Sequence, residues 1–402
     1  MASIEPRGNG SWLVQVCGGY DEKGKKIRVR RTVKVDPTHS IKSQRAEVKK
    51  KAAALETDFA RHLITDANKI TVSALCEEYY DYCKRKGLSQ TTINGYKRIF
   101  TNRVIPFMGK IAVQDVSPRT IAQFHRKIAE SACESKRSKD GKLSGTTKLH
   151  YHRAIHSLFS YAVQMLYISV NPADSVTPPR MDTPEAKFYE LQDCADLLEV
   201  LDGLEDEQWR LFFYLSIYTG MRPGEIIGLN WQDIDLKKHT LTVRAGSVFV
   251  KGKGTFRTDR PKTQRSIRVI DLPANIVWMM ETHKKQQDKR KASFGENWPE
   301  PDAVFTSELG KRFCLSLPTQ HFQRIIKANG LRPITLYGLR HTAATIMIAE
   351  GLNAREVAAR LGHAQTSTTL NIYAHAFQSA NSRATNAVVS ALDAARSKQS
   401  AG

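Results

Sequence analysis

Leu361-Gly362-His363-Ala364-Gln365-Thr366-Ser367-Thr368-Thr369-Leu370-Asn371-Ile372-Tyr373-Ala374-His375 is the stretch on which the reading of this chain turns. A tyrosine near a histidine means little alone. Two upstream runs change its weight: Thr219-Gly220-Met221-Arg222-Pro223-Gly224-Glu225 and Leu339-Arg340-His341-Thr342. Together they supply a hydroxyl nucleophile and two guanidinium groups, which is equipment for attacking a phosphodiester without a metal.

The flanking sequence fixes how those side chains are presented. Leu211 to Tyr218 reads as an apolar helix that Gly220 stops, and Pro223 opens the next helix at a first-turn position, so Arg222 sits at a helix junction. An arginine that clamps two phosphate oxygens needs such backbone fixation, because its planar fork must meet them at a set angle. Ile334 to Thr342 leads into a helix continuing through Ala343, Ala344 and Met347, and Ala358 to Leu361 ends another at Gly362, delivering His363 just beyond it. Taken singly, each arginine reads as a surface cap or salt-bridge partner, and the lone histidine as structural.

Composition points the same way. The chain has 402 residues, with 61 Lys and Arg against 40 Asp and Glu, a formal charge of +21. That length predicts two or three domains, and that charge predicts a polyanionic partner, nucleic acid first. No apolar run approaches the roughly 18 residues of a spanning helix, and the N-terminus lacks a signal-peptide core, which predicts a cytoplasmic protein with no membrane partner. The six cysteines show no C-x-x-C pair and no zinc-ligand spacing, so reduced thiols and no metal are expected. No G-x-x-x-x-G-K-[ST] loop is present, and no cofactor is expected.

Along the chain, residues 11 to 17 and 27 to 35 alternate at period two around Gly and Lys-Gly turn signals, predicting a hairpin. Its second strand places Ile27, Val29, Val33 and Val35 on one face with Arg31, and Arg28, Arg30 and Lys34 on the other, giving a basic side. A Lys- and Ala-rich helix is predicted over about 41 to 63. Helices are expected from about 70 to 170, starting near Ser73, Ser89 and Ser117-Pro118, the last with an apolar stripe of Ile155, Leu158, Phe159, Ala162, Val163 and Leu166 and a stop at Asn171-Pro172. Ala132 to Ser144 reads as a loop, and proline-rich Val176 to Pro184 as the main linker. Beyond it, helices near 190–202 and 207–219 precede strands near 240–250 and 265–271, then helices to the end.

The three runs resemble the tyrosine recombinases, the phage and conjugative-transposon integrase family. The shared pattern is an arginine in T-G-x-R-x-x-E, then H-x-x-R, then L-G-H with a nucleophilic tyrosine ten residues after that histidine; here Tyr373 follows His363 by ten. The resemblance implies that Arg222 and Arg340 hold the scissile phosphate, that His363 hydrogen-bonds it, and that Tyr373 attacks to form a 3′-phosphotyrosine. It implies a general acid in a β-hairpin turn, for which Lys262 in Pro261-Lys262-Thr263 is the choice over Lys251, Lys253 and Arg265. Residues 251 to 268 hold seven Lys and Arg against one Asp, and any of them fits backbone-binding charge equally. One position departs: Tyr337 stands where the family has the first histidine of H-x-x-R. A phenol, with a pKa of about 10, donates a hydrogen bond but carries no cation near neutrality. His341 would point about 100° away from Arg340 on a helix. Glu225 and Asp233 read as partners of nearby donors.

The fold implied is multidomain α+β: a small N-terminal three-stranded sheet plus helix (1–62) binding arm-type DNA with Arg28, Arg30 and Lys34, an all-helical SAM-like core-binding domain (68–172), and a mainly helical catalytic domain with a small β-sheet and a C-terminal tail helix (183–402). The function implied is integration and excision of a mobile element or prophage, by a homotetramer on core and arm attachment sites of double-stranded DNA. An excisionase-type directionality factor, a host DNA-bending protein and nucleoid association accompany it. The competing readings are a catalytically impaired DNA-binding regulator, for which Tyr337 speaks, and a type IB topoisomerase-like strand passage, against which the arm-binding segment speaks.

Overall fold

The computed structural model describes residues 2–20, 26–60, 70–131, 141–181, 187–250, 254–258, 267–363, 365–367, 369–370 and 389, and the chain forms two compact units, Met1–Pro184 and Glu185–Gly402.

The first unit opens with antiparallel strands β1 (Ser3–Gly8), β2 (Ser11–Tyr20) and β3 (Lys26–Lys34), in that order, followed by α1 (Ile41–Ala60). Alternation buries Trp12, Val14 and Val16 from β2, and Val35, Val48 and Ala52 close the small core from the far end and from α1. Register pairs Cys17, Gln15 and Ser11 with Arg28, Arg30 and Lys34, so those three cations are exposed on the face away from Trp12. Arg30 Nε donates to Gln15 Oε1 at 2.8 Å. Residue alternation alone did not find β1: it is an edge strand with Pro6 in it and almost no buried side chain. Gly10, at φ +68°, closes the turn after it, where a Cβ would lie 2.3 Å from the Val35 carbonyl.

The same unit continues as α2 (Val72–Arg85), α3 (Gln90–Ile99), a π-helical stretch Phe100–Val104 running into α4 (Ile105–Met108), α5 (Pro118–Glu130) and α6 (Gly145–Gln164). Ser89, Ser117 and Ser144 cap their helices through the hydroxyl, as serine does where backbone N–H groups lack partners. The first start is Thr71 rather than Ser73: Thr71 is held extended by a bridge to Ala112 and accepts from Ala74 N. The last helix also differs from its reading. Ile155, Leu158, Phe159 and Ala162 are buried as the stripe requires, but α6 stops at Gln164, and Leu166, at φ +59°, is 60% exposed. Asn171 does not terminate it; its Nδ2 instead folds back onto the His156 carbonyl and Ser160 Oγ. The 132–140 part of the expected loop lies outside the described residues.

In the second unit α7 (Leu191–Asp202), α8 (Glu207–Thr219) and α9 (Pro223–Ile227) precede a sheet of β4 (Ile234–Asp235), β5 (Thr240–Val243) and, later in the chain, β8 (Arg268–Asp271). Between β5 and β8 lies a separate ribbon of β6 (Gly246–Val250) and β7 (Gly254–Thr258). The strand expected over 240–250 is therefore two strands belonging to two sheets, and β7, opened by Gly254 at φ +85°, was not anticipated. Helices α10 (Ala274–Phe294), α11 (Leu317–Ala328), α12 (Leu336–Ala349) and α13 (Ala354–Leu361) follow. α8 is the axis of the unit: Leu211, Phe212, Phe213, Leu215 and Ile217 are all buried, and α7, α10 and α12 pack around it. Each such side chain contributes about 1.5–3 kcal/mol by leaving water, which fixes the end of α8 where Arg222 begins. The expected tail helix after Ala376 lies outside the described residues, Val389 apart.

Candidate active site

The end of α8 sets the geometry. Thr219 Oγ1 caps the turn by accepting from Met221 N at 3.2 Å, and Gly220 takes φ +62°, which a side chain resists. A Cβ there would also stand 2.7 Å from Leu361 Cδ2, so the glycine lets α13 dock against the junction. Arg222 then stands at the N-cap position of α9, and Glu225 in the first turn accepts from it twice: Oε2 from Arg222 N at 2.9 Å and Oε1 from Arg222 Nη1 at 2.8 Å.

Three arginines meet the last turn of α13. Arg268 Nε donates to the Arg360 carbonyl at 2.7 Å, Arg340 Nη2 to the Leu361 carbonyl at 2.7 Å, and Arg222 Nη2 to the Gly362 carbonyl at 3.5 Å. Those carbonyls are the ones a helix leaves without intrahelical partners, at its electronegative end. Arg340 also donates through Nη1 to the Gly220 carbonyl at 2.8 Å, and it is only 1% exposed. Its fork thus joins the end of α8 to the end of α13. Gly362, at φ +68°, turns the chain so that His363 follows, and His363 Nδ1 lies 2.7 Å from Thr369 Oγ1.

Glu225 is the anion at this cationic centre. Arg268 Nη2 reaches its Oε2 at 2.8 Å, and the carboxylate is buried. Burial pushes its pKa up, but the Arg268 hydrogen bond and charge, then Arg222, outweigh that and hold it below the ordinary carboxylate range. Arg340 is brought down to about 10 by burial and by the Arg222 charge, and stays protonated near neutrality. His363 is brought down to about 4 by burial, then by Arg340, Arg222 and Arg268, so its imidazole is neutral. One carboxylate against three guanidiniums leaves positive charge for a phosphate.

Of the residues singled out from sequence, Arg222, Arg340 and His363 converge at Gly362. Tyr337 is 42% exposed, with its ring packed edge-on at 5.3 Å against that of His341, one turn further along α12. Lys262 and Tyr373 lie outside the described residues, as do Lys251, Lys253 and Arg265. Lys262 falls between β7 and β8, which among the described residues belong to different sheets, and the turn expected around it lies outside the described residues. The two described cations of that stretch have internal partners, Arg257 on Asp233 at 3.0 Å and Arg268 on Glu225. Asp233 also takes Arg244 at 3.0 Å, and so acts structurally as read. Arg268 itself was passed over. Its signal was there: in Arg268-Val269-Ile270 it shares the inward face with buried Ile270. Thr369 left no comparable signal.

The chain matches the model of the phage integrase family over residues 188–380, and that of the phage integrase N-terminal SAM-like domain over 71–129. The chain belongs to the phage integrase family. It is 27% identical over 384 residues to a tyrosine recombinase XerC-like protein of Caldanaerobacter subterraneus subsp. tengcongensis, covering 90% of this chain and 92% of that one. It is 23% identical over 378 residues to the ICEBs1 integrase of Bacillus subtilis, covering 93% and 96%. Among solved structures, the Tn1549 transposon integrase in complex with transposon right end DNA superposes with a TM-score of 0.64 at 21% identity, covering 78% of this chain and 98% of that one. As a tyrosine recombinase, this integrase is an enzyme of site-specific DNA recombination, and the regulator and topoisomerase readings are not favoured. Among the described residues no helix is long and apolar enough to cross a membrane.

Proposed function

We propose that this integrase cuts and rejoins double-stranded DNA to integrate and excise a mobile element, with Arg222, Arg340 and His363 binding the scissile phosphate and Tyr373 attacking it. The observation that carries this is the convergence of Arg222 and Arg340 on the carbonyls of Leu361 and Gly362, immediately before His363. Attack by the Tyr373 oxygen on phosphorus, its phenolic proton passing to solvent, forms a 3′-phosphotyrosine and breaks the bond to the 5′-oxygen, which takes a proton from Lys262. The phosphodiester energy is kept in the covalent link, so a second strand's 5′-hydroxyl reseals the backbone by reversing the step. As the second negative charge builds on the equatorial oxygens, the two preorganised forks stabilise it.

The exposed Arg28, Arg30 and Lys34 face supports arm-site binding by residues 1–62, with 68–172 on the core site and 183–402 catalytic. Recombination then requires a homotetramer, an excisionase-type factor, a DNA-bending protein and a cytoplasmic, nucleoid-associated setting. The test is a nicked suicide core-site duplex, on which the full chain is expected to leave a trapped covalent adduct that Tyr373→Phe abolishes. No adduct from the wild type overturns the enzyme mechanism, and an adduct from Tyr373→Phe overturns the nucleophile. Supercoil relaxation without exchange between duplexes points to the topoisomerase activity instead.

A further inference from the structure

Thr369 is fully buried, and its hydroxyl lies 2.7 Å from His363 Nδ1. A hydroxyl carries one hydrogen, and burial without an acceptor for it is costly. Among the described residues Nδ1 is the acceptor the structure offers that hydrogen. If Nδ1 instead bore the proton and donated to Oγ1, the threonine hydrogen would be stranded. Leaving a buried donor unsatisfied disfavours that arrangement by about tenfold or more. The proton of the imidazole therefore sits on Nε2, which has no hydrogen-bond partner among the described residues.

We propose that Thr369 is a positioning residue: its hydroxyl donates to His363 Nδ1 and fixes the Nε2–H tautomer, so that His363 meets the scissile phosphate as a hydrogen-bond donor. This rests on reading Arg222, Arg340 and His363 as the phosphate site. A phosphate oxygen offers only lone pairs, and an Nε2 lone pair facing it would repel rather than bind. The depressed basicity of His363 agrees, since the ring holds a single proton near neutrality and its placement decides whether the ring donates or repels. Thr369 thus stands to His363 as Glu225 stands to Arg222: each holds a functional group in the one geometry that serves an anion.

The experiment uses the full chain with ¹⁵N-histidine labelling, His363 being assigned by the signal lost in His363→Gln. The wild type is expected to show Nε2 protonated and Nδ1 bare, and Thr369→Ser to keep both that signature and the cleavage rate. Thr369→Val is expected to lose the fixed tautomer and to cleave a suicide duplex about 10- to 100-fold more slowly at saturating DNA, with DNA affinity little changed. A wild-type Nδ1–H signature, a Thr369→Ser that mixes tautomers, or a Thr369→Val that cleaves at the wild-type rate each overturns the proposal. Should Thr369→Val not fold, the wild-type and Thr369→Ser spectra decide. Full-rate cleavage by His363→Ala would sink the phosphate-site reading, leaving the tautomer result standing by itself.

Discussion

Arg268 Nη2 lies 2.8 Å from Glu225 Oε2 while Arg222 Nη1 lies 2.8 Å from the other oxygen of the same carboxylate. One buried anion therefore sets the angles of two guanidiniums: β8 brings one, the start of α9 the other. Removing Arg268 leaves Glu225 buried with half its compensation. Arg268→Ala is expected to destabilise the second unit by about 3–5 kcal/mol, measured by urea unfolding, and to slow cleavage because Arg222 loses its anchor. Unchanged stability would mean that the pair contributes nothing net.

Gly362 faces the same arginine. Alanine there would have to adopt φ +68° with its Cβ 2.6 Å from Arg268 Nη1, so Gly362→Ala is expected to cost about 1–3 kcal/mol and to displace the arginine. In the double variant with Arg268→Ala the collision is gone. The two costs should then fall short of additivity by about 0.5–3 kcal/mol, and strict additivity would show that the two residues do not meet.

Arg340→Lys preserves the charge and loses the fork. An ammonium on a flexible stem does not hold the Gly220 and Leu361 carbonyls together while also presenting hydrogens to a phosphate. Suicide-substrate cleavage is expected to fall by about 10²–10³-fold. Near wild-type adduct formation by Arg340→Lys would show that charge alone suffices.

The acid dependence follows from the histidines. His363 and His125 both sit at about 4 in the folded chain, His363 through burial and then the arginines, His125 through burial and then His152. Unfolded, each takes up its proton near 6.5. Between about 6.5 and 4 the unfolded state binds more protons, so stability falls as the pH falls through that window and the loss levels off below 4. Thermal midpoints across pH 7 to 4 should show that decline. His363→Gln should flatten part of it, whereas an unaltered curve would place the folded-state titration near 6.5.

The phosphate contacts proposed for the N-terminal sheet predict a salt signature. Replacing Arg28, Arg30 and Lys34 with alanine is expected to lower the slope of log affinity against log salt for arm-site duplex by about 2.7, at roughly 0.9 per lost contact. Core-site cleavage should be untouched. A slope that does not move would assign arm binding to another surface.

Spacing made much of the site legible. Gly220, Arg222 and Pro223 announced a helix break with an arginine held in it, and Gly362 announced the stop before His363, because left-handed glycines and first-turn prolines are local signals. What stayed hidden depends on neighbours distant in sequence. Alternation in β8 puts Arg268 on the inward face, but its partners there, Glu225 and the Arg360 carbonyl, are reported by no local pattern. The division of residues 240–258 between two sheets is likewise set by pairing partners, not by alternation. Leu166 shows the reverse failure: its helical spacing was right, but the backbone had already left the helix.

The fork of Arg340 also imposes an order on synthesis. It becomes rigid only when Gly220 and Leu361 present their carbonyls together, and Leu361 emerges from the ribosome late. A nascent chain that has already folded its N-terminal sheet therefore has no fixed Arg340 fork until α13 is made.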